Sequence, residues 1–280
     1  MIAITAATGT TGRHVLRALA AAGHDVRALV HSPPRLDEAR SYGASEAAVA
    51  DLTRPDQLDT ALEGCDALVH IGPPMDPREI TMGQNVLDAA KRAGVGHVVL
   101  MSVTHPQLEP LLNHQSKLAV ERHLLGSRLP FTILQPMHYM QNVDVADCLR
   151  TGVFRQPFSL DRPLSFVDLA DVGEVAATVL SDPAKHLWAT YELCAADPLT
   201  GYDVARVLAG AGGTDVRAEQ VDVRDTLPKD APDYTVDGFI RLATHYDRYG
   251  LLGNPNVLRW LLGREPTTLA QYARRELGTG

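Results

Sequence analysis

A doubly wound parallel α/β sheet is predicted for the first half of this 280-residue chain by three observations. Short apolar runs alternate with longer amphipathic stretches. Several of the runs are apolar almost throughout, as strands are when helices cover both faces of their sheet. Glycines stand where the intervening helices should stop.

The runs come in order as Ile2 to Thr5, Val26 to Val30, Ala47 to Ala50, Ala67 to Ile71, Val98 to Met101 and Phe131 to Leu134. Between the first two, Val15, Leu16 and Leu19 recur at helical spacing and Gly23 closes the helix. Val86, Leu87 and Ala90 repeat the pattern before Gly94. Repeated strand–helix units imply parallel strands, because each crossover returns the chain to the same edge. After Pro136 the rhythm changes. A helix is predicted over 168–180, a strand over 190–193, a helix over 202–208 and a strand over 216–223. A helical tail from about Tyr234 carries turn signals at Gly253-Asn254-Pro255 and at Gly263. Thr267 or Thr268 is placed to cap its last helix.

Composition narrows the function classes. Hydrophobic residues make up 45% and charged residues 21%, enough to build an ordinary globular core. A net charge of -8 argues against a general affinity for nucleic acid or an anionic membrane. Cys65, Cys148 and Cys194 lie far apart, in no metal-ligand spacing, and read as buried thiols of a reducing compartment. No metal is expected. No apolar run reaches the length of a membrane span, and Met1 leads straight into Ile-Ala-Ile with no room for a signal peptide. These features predict a cytoplasmic protein.

The first strand runs into Ala6-Ala7-Thr8-Gly9-Thr10-Thr11-Gly12-Arg13, and a helix follows at once. A dinucleotide pyrophosphate needs such a tight strand-to-helix turn, with backbone N–H groups facing the phosphates at the positive helix end. Gly9 would let the backbone approach the phosphates and Gly12 would let the helix pack close to the strand. Ala6 stands where a first glycine is expected. The predicted fold is therefore a Rossmann sheet over residues 1–136. Residues 137–280 form a smaller, mostly helical substrate region, partly interleaved with the sheet and closing over its carboxyl edge.

The cofactor is read from the end of the second strand. A site preferring NAD offers an acid there for the ribose hydroxyls. This chain has His31, Ser32 and then Arg35, with Arg13 as a further base, groups suited to a 2′-phosphate. NADP(H) is favoured, with NAD(H) as the alternative.

The order of these segments resembles the NmrA-like, atypical branch of the short-chain dehydrogenase/reductase superfamily, over nearly the whole chain. Thr5 to Gly12 resembles that branch's TGATGxxG, departing at Ala6; Val26 to His31 resembles VRALVR, with His31 in place of the arginine that binds the 2′-phosphate. Arg35 matches a second basic position of some members. Ala50-Asp51-Leu52 resembles the GDL segment beside the adenine, and Ile71-Gly72-Pro73-Pro74 the strand-four turn beside the cofactor. Leu100-Met101-Ser102, His114 to Lys117 with Val120-Glu121, and Leu129 to Pro136 resemble LSS, H-x-S-K-x-x-x-E and LPYTILRP, the last with Gln135 replacing arginine. Phe166-Val167-Asp168, Asp171-Val172 and Tyr191-Glu192-Leu193 resemble the second-half segments FVDxxDVA and YEL. The resemblance implies cofactor contacts at Thr8, Gly9, Thr10, Thr11, Gly12, Asp51, Leu52, Ile71, Gly72, Pro73, Ser102, Lys117 and Pro136.

Typical members of the superfamily protonate the substrate oxygen with a tyrosine four residues before the lysine. Counting back from Lys117 gives Asn113, which cannot act as a general acid. Lys117 retains the ribose contact, and Ser102 can orient a carbonyl. His114 is the nearest group that exchanges a proton at neutral pH, although a helix-face histidine bonded to backbone fits its position equally. His138 and Tyr139 follow the sixth strand, where this branch meets its substrate, and are alternative donors; His105 is a further candidate. Phe239, Leu242, Tyr246, Leu251, Leu252 and Trp260 are expected to pack the tail, some of them lining an apolar pocket.

Together these features imply an NAD(P)H-dependent reductase of a small hydrophobic conjugated molecule, such as a quinone, enone or imine. Two other readings stand beside it: an NADP(H)-sensing regulator, for which NmrA is the precedent, and a redox-silent cyclase or isomerase. No nucleic acid or membrane partner is expected, and either a homodimer or a monomer is compatible with the sequence.

Overall fold

A computed structural model of the chain describes residues 1–195 and 198–278. The first half alternates strands β1 (Ile2–Ile4), β2 (Val26–Val30), β3 (Glu46–Val49), β4 (Ala67–Ile71), β5 (His97–Met101) and β6 (Phe131–Pro136) with helices. The helices are α1 (Thr10–Ala21), α2 (Arg35–Ser41), α3 (Pro55–Leu62), α4 (Glu79–Arg92) and α5 (Leu112–Ser127). Then follow β7 (His138–Tyr139), α6 (Val145–Thr151), β8 (Val153–Gln156), β9 (Phe166–Val167), α7 (Leu169–Ser181) and β10 (Ala189–Leu193). The chain continues through α8 (Gly201–Gly212), β11 (Arg217–Gln220), α9 (Asp233–Tyr249), α10 (Asn256–Leu262) and α11 (Leu269–Glu276).

Seven strands form one sheet in the order β10-β6-β5-β4-β1-β2-β3. The pairs from β3 across to β6 are parallel, with Ile2 opposite both Val26 and Ala67. The order reverses direction between β1 and β4, the topological switch point at which open α/β sheets bind ligands. The predicted Rossmann sheet is thus observed. β4, β5 and β6 are buried along their whole length, which is why they read as unbroken apolar runs.

The fold divides into two compact units: residues 1–107, 113–136 and 169–191 in one, and 108–112, 137–168 and 192–280 in the other. In the first, α1 buries Val15, Leu16 and Leu19 as predicted. Each fully buried leucine contributes about 2 kcal/mol. α7 returns from far along the chain to pack on α1: a Cβ on Gly173 would lie 2.9 Å from the His14 carbonyl oxygen. In the second unit the helices carry two parallel strand pairs, β7 with β9 and β8 with β11. β7 and β9 have two residues each, too few for a strand period to show in the sequence. Thr268, one of two candidate caps, accepts from the Gln271 N–H and closes a capping box at the start of α11.

Candidate functional site

β1 ends beside β4, and the backbone must turn at once to start α1. Ala6 adopts φ 50°, and the Gly9 N–H donates to the Ala6 carbonyl oxygen at 2.9 Å. Left-handed backbone suits glycine; alanine there costs about 1 kcal/mol. Gly9 is the N-cap of α1 in an extended conformation, and no side chain caps the helix start. Gly9 and Thr10 are exposed, with Thr8 and Thr11 half-buried beside them. Gly12 has a purely steric reason. A Cβ there would sit 2.1 Å from the Ala6 carbonyl oxygen and 2.8 Å from its carbon, so helix and turn touch backbone to backbone. The contact is with the turn itself, one step beyond the strand expected from sequence.

Beyond β2, His31 is exposed and Ser32 half-buried, and the Ser32 carbonyl accepts from the Arg35 N–H at 3.1 Å. The Arg35 guanidinium pairs with Glu38 at 2.7 Å, and the Tyr42 hydroxyl donates to the other Glu38 oxygen at 3.0 Å. These two bonds, Arg35 first, hold the Glu38 carboxyl below its usual range, with a smaller contribution from Arg13. Arg17 lies 4.5 Å over the Tyr42 ring. Arg35 and Arg13 therefore act on one carboxylate, and Arg17 on the tyrosine bonded to it. Asp51 accepts from the Thr53 N–H and hydroxyl, and these bonds lower its carboxyl. The Leu52 carbonyl accepts from Asn85 at 3.1 Å.

At the end of β4 the surroundings become dry. His70 is buried, its Nδ1 lies 3.0 Å from the Thr5 hydroxyl, and burial first, then Lys117, pushes its pKa down to about 3. Thr5 also exchanges hydrogen bonds with the Ile71 backbone, which ties the end of β1 to that of β4. Ile71 and Gly72 are buried and Pro73 half-buried. Lys117 forms an ion pair with Glu79 at 2.6 Å, with side chains 13% and 2% exposed, and lies 3.5 Å from the Gly72 carbonyl oxygen. A Cβ on Gly72 would lie 3.2 Å from both charged heads, a tight contact that would push the pair by a few tenths of an ångström. Burial raises the Glu79 carboxyl, and Lys117 opposes that rise.

Ser102 is buried at the end of β5, where its N–H donates to the Leu134 carbonyl at 2.8 Å; its Oγ has no partner among the described residues. Nor has Asn113 Oδ1. Pro136 is buried, and its carbonyl accepts from Thr104 at 3.1 Å. His114 is fully buried, and its Nδ1 lies 2.9 Å from the carbonyl oxygen of His105, itself at φ 54°. A carbonyl only accepts, so Nδ1 carries the hydrogen in this contact. Gln135 donates to Glu121 at 2.8 Å inside the first unit.

His138 and Tyr139 belong to the second unit, on β7, and both are half-buried. His138 packs edge-on against Phe158, Phe166 and Tyr246, with ring centroids 5.4 Å apart for Phe166. Burial lowers its pKa to about 4, so the ring is neutral near pH 7. Of the tail residues, Tyr246 and Leu251 are buried, Phe239 and Leu242 half-buried, and Leu252 and Trp260 exposed. Asp168 anchors the tail: it is fully buried, accepts from Arg275 at 2.6 and 3.1 Å and takes a third bond from Gln141.

This geometry, a glycine-locked turn at the switch point of a seven-stranded sheet, has counterparts among known proteins. The NmrA-like family matches residues 1–276. The chain belongs to the NmrA-like family. Among its NmrA-like relatives, an NAD(P)H azoreductase of Xenophilus azovorans is 28% identical over 98% of this chain and 97% of its own. A (4-alkanoyl-5-oxo-2,5-dihydrofuran-3-yl)methyl phosphate reductase of Streptomyces griseus is 31% identical over 87% and 86%. The crystal structure of the NADPH-dependent quinone oxidoreductase QOR2 of Escherichia coli complexed with NADPH superposes with a TM-score of 0.83 at 26% identity, covering 99% of this chain and 100% of that one.

Two groups in this NmrA-like site carry no mark in the sequence. Glu79 and Glu38 read as ordinary acids in the first turn of a helix, where the helix dipole favours them. His70 had a signal: a polar residue inside a strand buried on both faces must find a partner.

Proposed function

We propose that this protein is an NADPH-preferring reductase of hydrophobic, conjugated acceptors such as quinones, working without the usual catalytic tyrosine. The observation that carries this reading is the phosphate loop. Gly12 lies against the Ala6 carbonyl with no room for a side chain, while the start of α1 is left uncapped and exposed at Gly9 and Thr10. Exposed N–H groups at a helix start that follows a tight strand-to-helix turn are the arrangement that holds a pyrophosphate.

The residues present fit a dinucleotide. Thr8 to Gly12 would hold the pyrophosphate through backbone N–H groups, and Asp51 and Leu52 would flank the adenine. Ile71, Gly72, Pro73 and Pro136 would form the cofactor's inner wall. His31, Ser32, Arg35 and Arg13 would hold the 2′-phosphate, with Glu38 as the internal anion that this phosphate replaces on Arg35. Lys117 would meet the ribose hydroxyls, and the unpartnered Ser102 hydroxyl would orient the acceptor's oxygen. When bound, the nicotinamide supplies a hydride, and such transfer asks the protein mainly for positioning and exclusion of water. The proton would then come from water or Tyr139, because Asn113 cannot donate one and His138 is a neutral ring near pH 7. The names of the azoreductase, the quinone oxidoreductase and the (4-alkanoyl-5-oxo-2,5-dihydrofuran-3-yl)methyl phosphate reductase agree with this reading.

Fluorescence titration with NADPH and NADH, followed by anaerobic oxidation of the preferred cofactor with a series of quinones, tests it. The expected result is tighter binding of NADPH and turnover with at least one quinone. Tight binding without turnover on any acceptor would favour the sensor reading, to which Asn113 lends support.

A further inference from the structure

We infer that Glu79 is the positioning residue for Lys117: its buried carboxylate holds the ammonium group at the Gly72 turn, charged and aimed for the ribose hydroxyls of the dinucleotide. The inference rests on the cofactor reading above and goes one residue deeper into it.

The juxtaposition is built by helix packing. α4 and α5 touch at Gly83, where a Cβ would come within 2.6 Å of the Val120 side chain. One turn earlier on each helix stand Glu79 and Lys117, which are therefore brought face to face by the same contact. Their separation is 2.6 Å, and Gly72 leaves room for both heads at the end of β4, next to the switch point. Lys117 keeps 13% of its side chain exposed while Glu79 keeps 2%. The acid is thus the inner member and the lysine the outer one. An ammonium group has three N–H donors. Glu79 faces one and the Gly72 carbonyl, at 3.5 Å, weakly engages a second. The third remains for a ligand hydroxyl.

The other charges around the pair support this division of roles. Asp76 acts on Glu79 in the direction that raises it, but Asp76 is itself paired with Arg78 at 2.8 Å. His70, on β4, feels Lys117 and stays neutral with its Nδ1 against Thr5. Glu79 is therefore the one carboxylate paired with Lys117 among the described residues. In its absence the largely buried lysine would shed its proton at lower pH, since burial disfavours the charged form and only the Gly72 carbonyl would support it.

The test is NADPH binding, read by equilibrium fluorescence without turnover, in wild type, E79Q, E79D, K117M and E79Q/K117M. E79Q should bind within about threefold of wild type near pH 6.5 and about tenfold more weakly near pH 9, where its lysine has lost the proton. E79D, which keeps the charge on a shorter arm, should restore the wild-type pH profile even if its affinity is lower throughout. K117M and E79Q/K117M should bind alike at both pH values, because Glu79 acts only through Lys117. A pH-independent E79Q, or a double variant much weaker than K117M, would overturn the inference. Should E79Q not fold, an E79D profile unlike that of wild type would overturn it as well. Wild type that binds NADPH no better than K117M would remove the role of Lys117, and wild type that binds no dinucleotide would remove the cofactor reading itself.

Discussion

Two ion pairs flank the candidate cofactor site, and they differ in almost nothing but water. Arg35–Glu38 spans 2.7 Å and Lys117–Glu79 spans 2.6 Å. The first has side chains 44% and 31% exposed, the second 13% and 2%. An exposed pair contributes about 0–1 kcal/mol, because solvent screens it and two long side chains lose freedom. Removing one member of a buried pair costs about 3–5 kcal/mol, because the other is left as an uncompensated charge. The outer pair can therefore be exchanged for a ligand's phosphate at little cost, whereas the inner pair has to persist. A recognition site needs the first kind of contact and a fixed scaffold the second.

The largest test breaks the inner pair. Lys117→Met should lose about 3–5 kcal/mol in denaturant unfolding at neutral pH, and less in acid, where Glu79 can take up a proton. Arg35→Ala should change stability by less than about 1 kcal/mol. Equal losses would end the contrast. Arg35→Ala should also weaken NADPH much more than NADH, and equal weakening would mean that Arg35 does not read the 2′-phosphate.

Gly9→Asp separates binding from folding at the outer end. Gly9 is an extended N-cap, a position that aspartate favours, although the new Cβ would meet the Ala6 carbonyl oxygen at a tight 3.2 Å. The melting temperature should hold while NADPH affinity falls more than about 100-fold, through negative charge set against the pyrophosphate. Retained affinity would sink the loop assignment.

Acid should act on the buried interior first. His70, with a folded pKa of about 3, and His97, at the start of β5 with about 4, are both lowered chiefly by burial. Their unfolded value is about 6.5. Above that pH both states are neutral and the residues add no pH dependence. Below it the unfolded chain takes up protons first, so stability falls as pH drops from about 6.5 towards 4, by several kcal/mol in all. His70→Gln should flatten part of that slope in urea melts taken across this range; an unchanged slope would place the titration elsewhere.

Two smaller effects belong to the outer end. Ala6→Gly relieves a left-handed alanine and should stabilise by about 1 kcal/mol, measured by thermal unfolding. Glu38→Gln frees Arg35 from its internal anion and should tighten NADPH about threefold, with NADH unchanged, a gain that high salt erases.

How much of this was legible in sequence follows from the range of each interaction. β2 and β4 occupy the predicted residues, and the face of α1 is buried as its spacing requires. The loop from Ala6 to Gly12 was legible because its chemistry lies in seven consecutive residues. Asn113 could be picked out in the sequence by counting back from Lys117 to the place where a tyrosine is expected. The tail was harder: residues such as Leu252 and Trp260 share an apolar pattern with Tyr246 and Leu251, yet the first two are exposed and the last two buried. Pattern reports periodicity and does not say which face finds a neighbour.

By itself, the sequence determined a parallel α/β sheet, a phosphate-type turn after the first strand and a second strand ending in bases in place of an acid. Those are local properties of propensity, period and spacing. Only the tertiary structure decided that Glu79 meets Lys117, that Glu38 occupies Arg35 and that His114 lies against the His105 carbonyl. Glu79 and Lys117 stand 38 positions apart in the chain, and their meeting depends on α4 and α5 closing at Gly83. Solvent access, which makes one ion pair exchangeable and the other permanent, is a property of the packed fold alone.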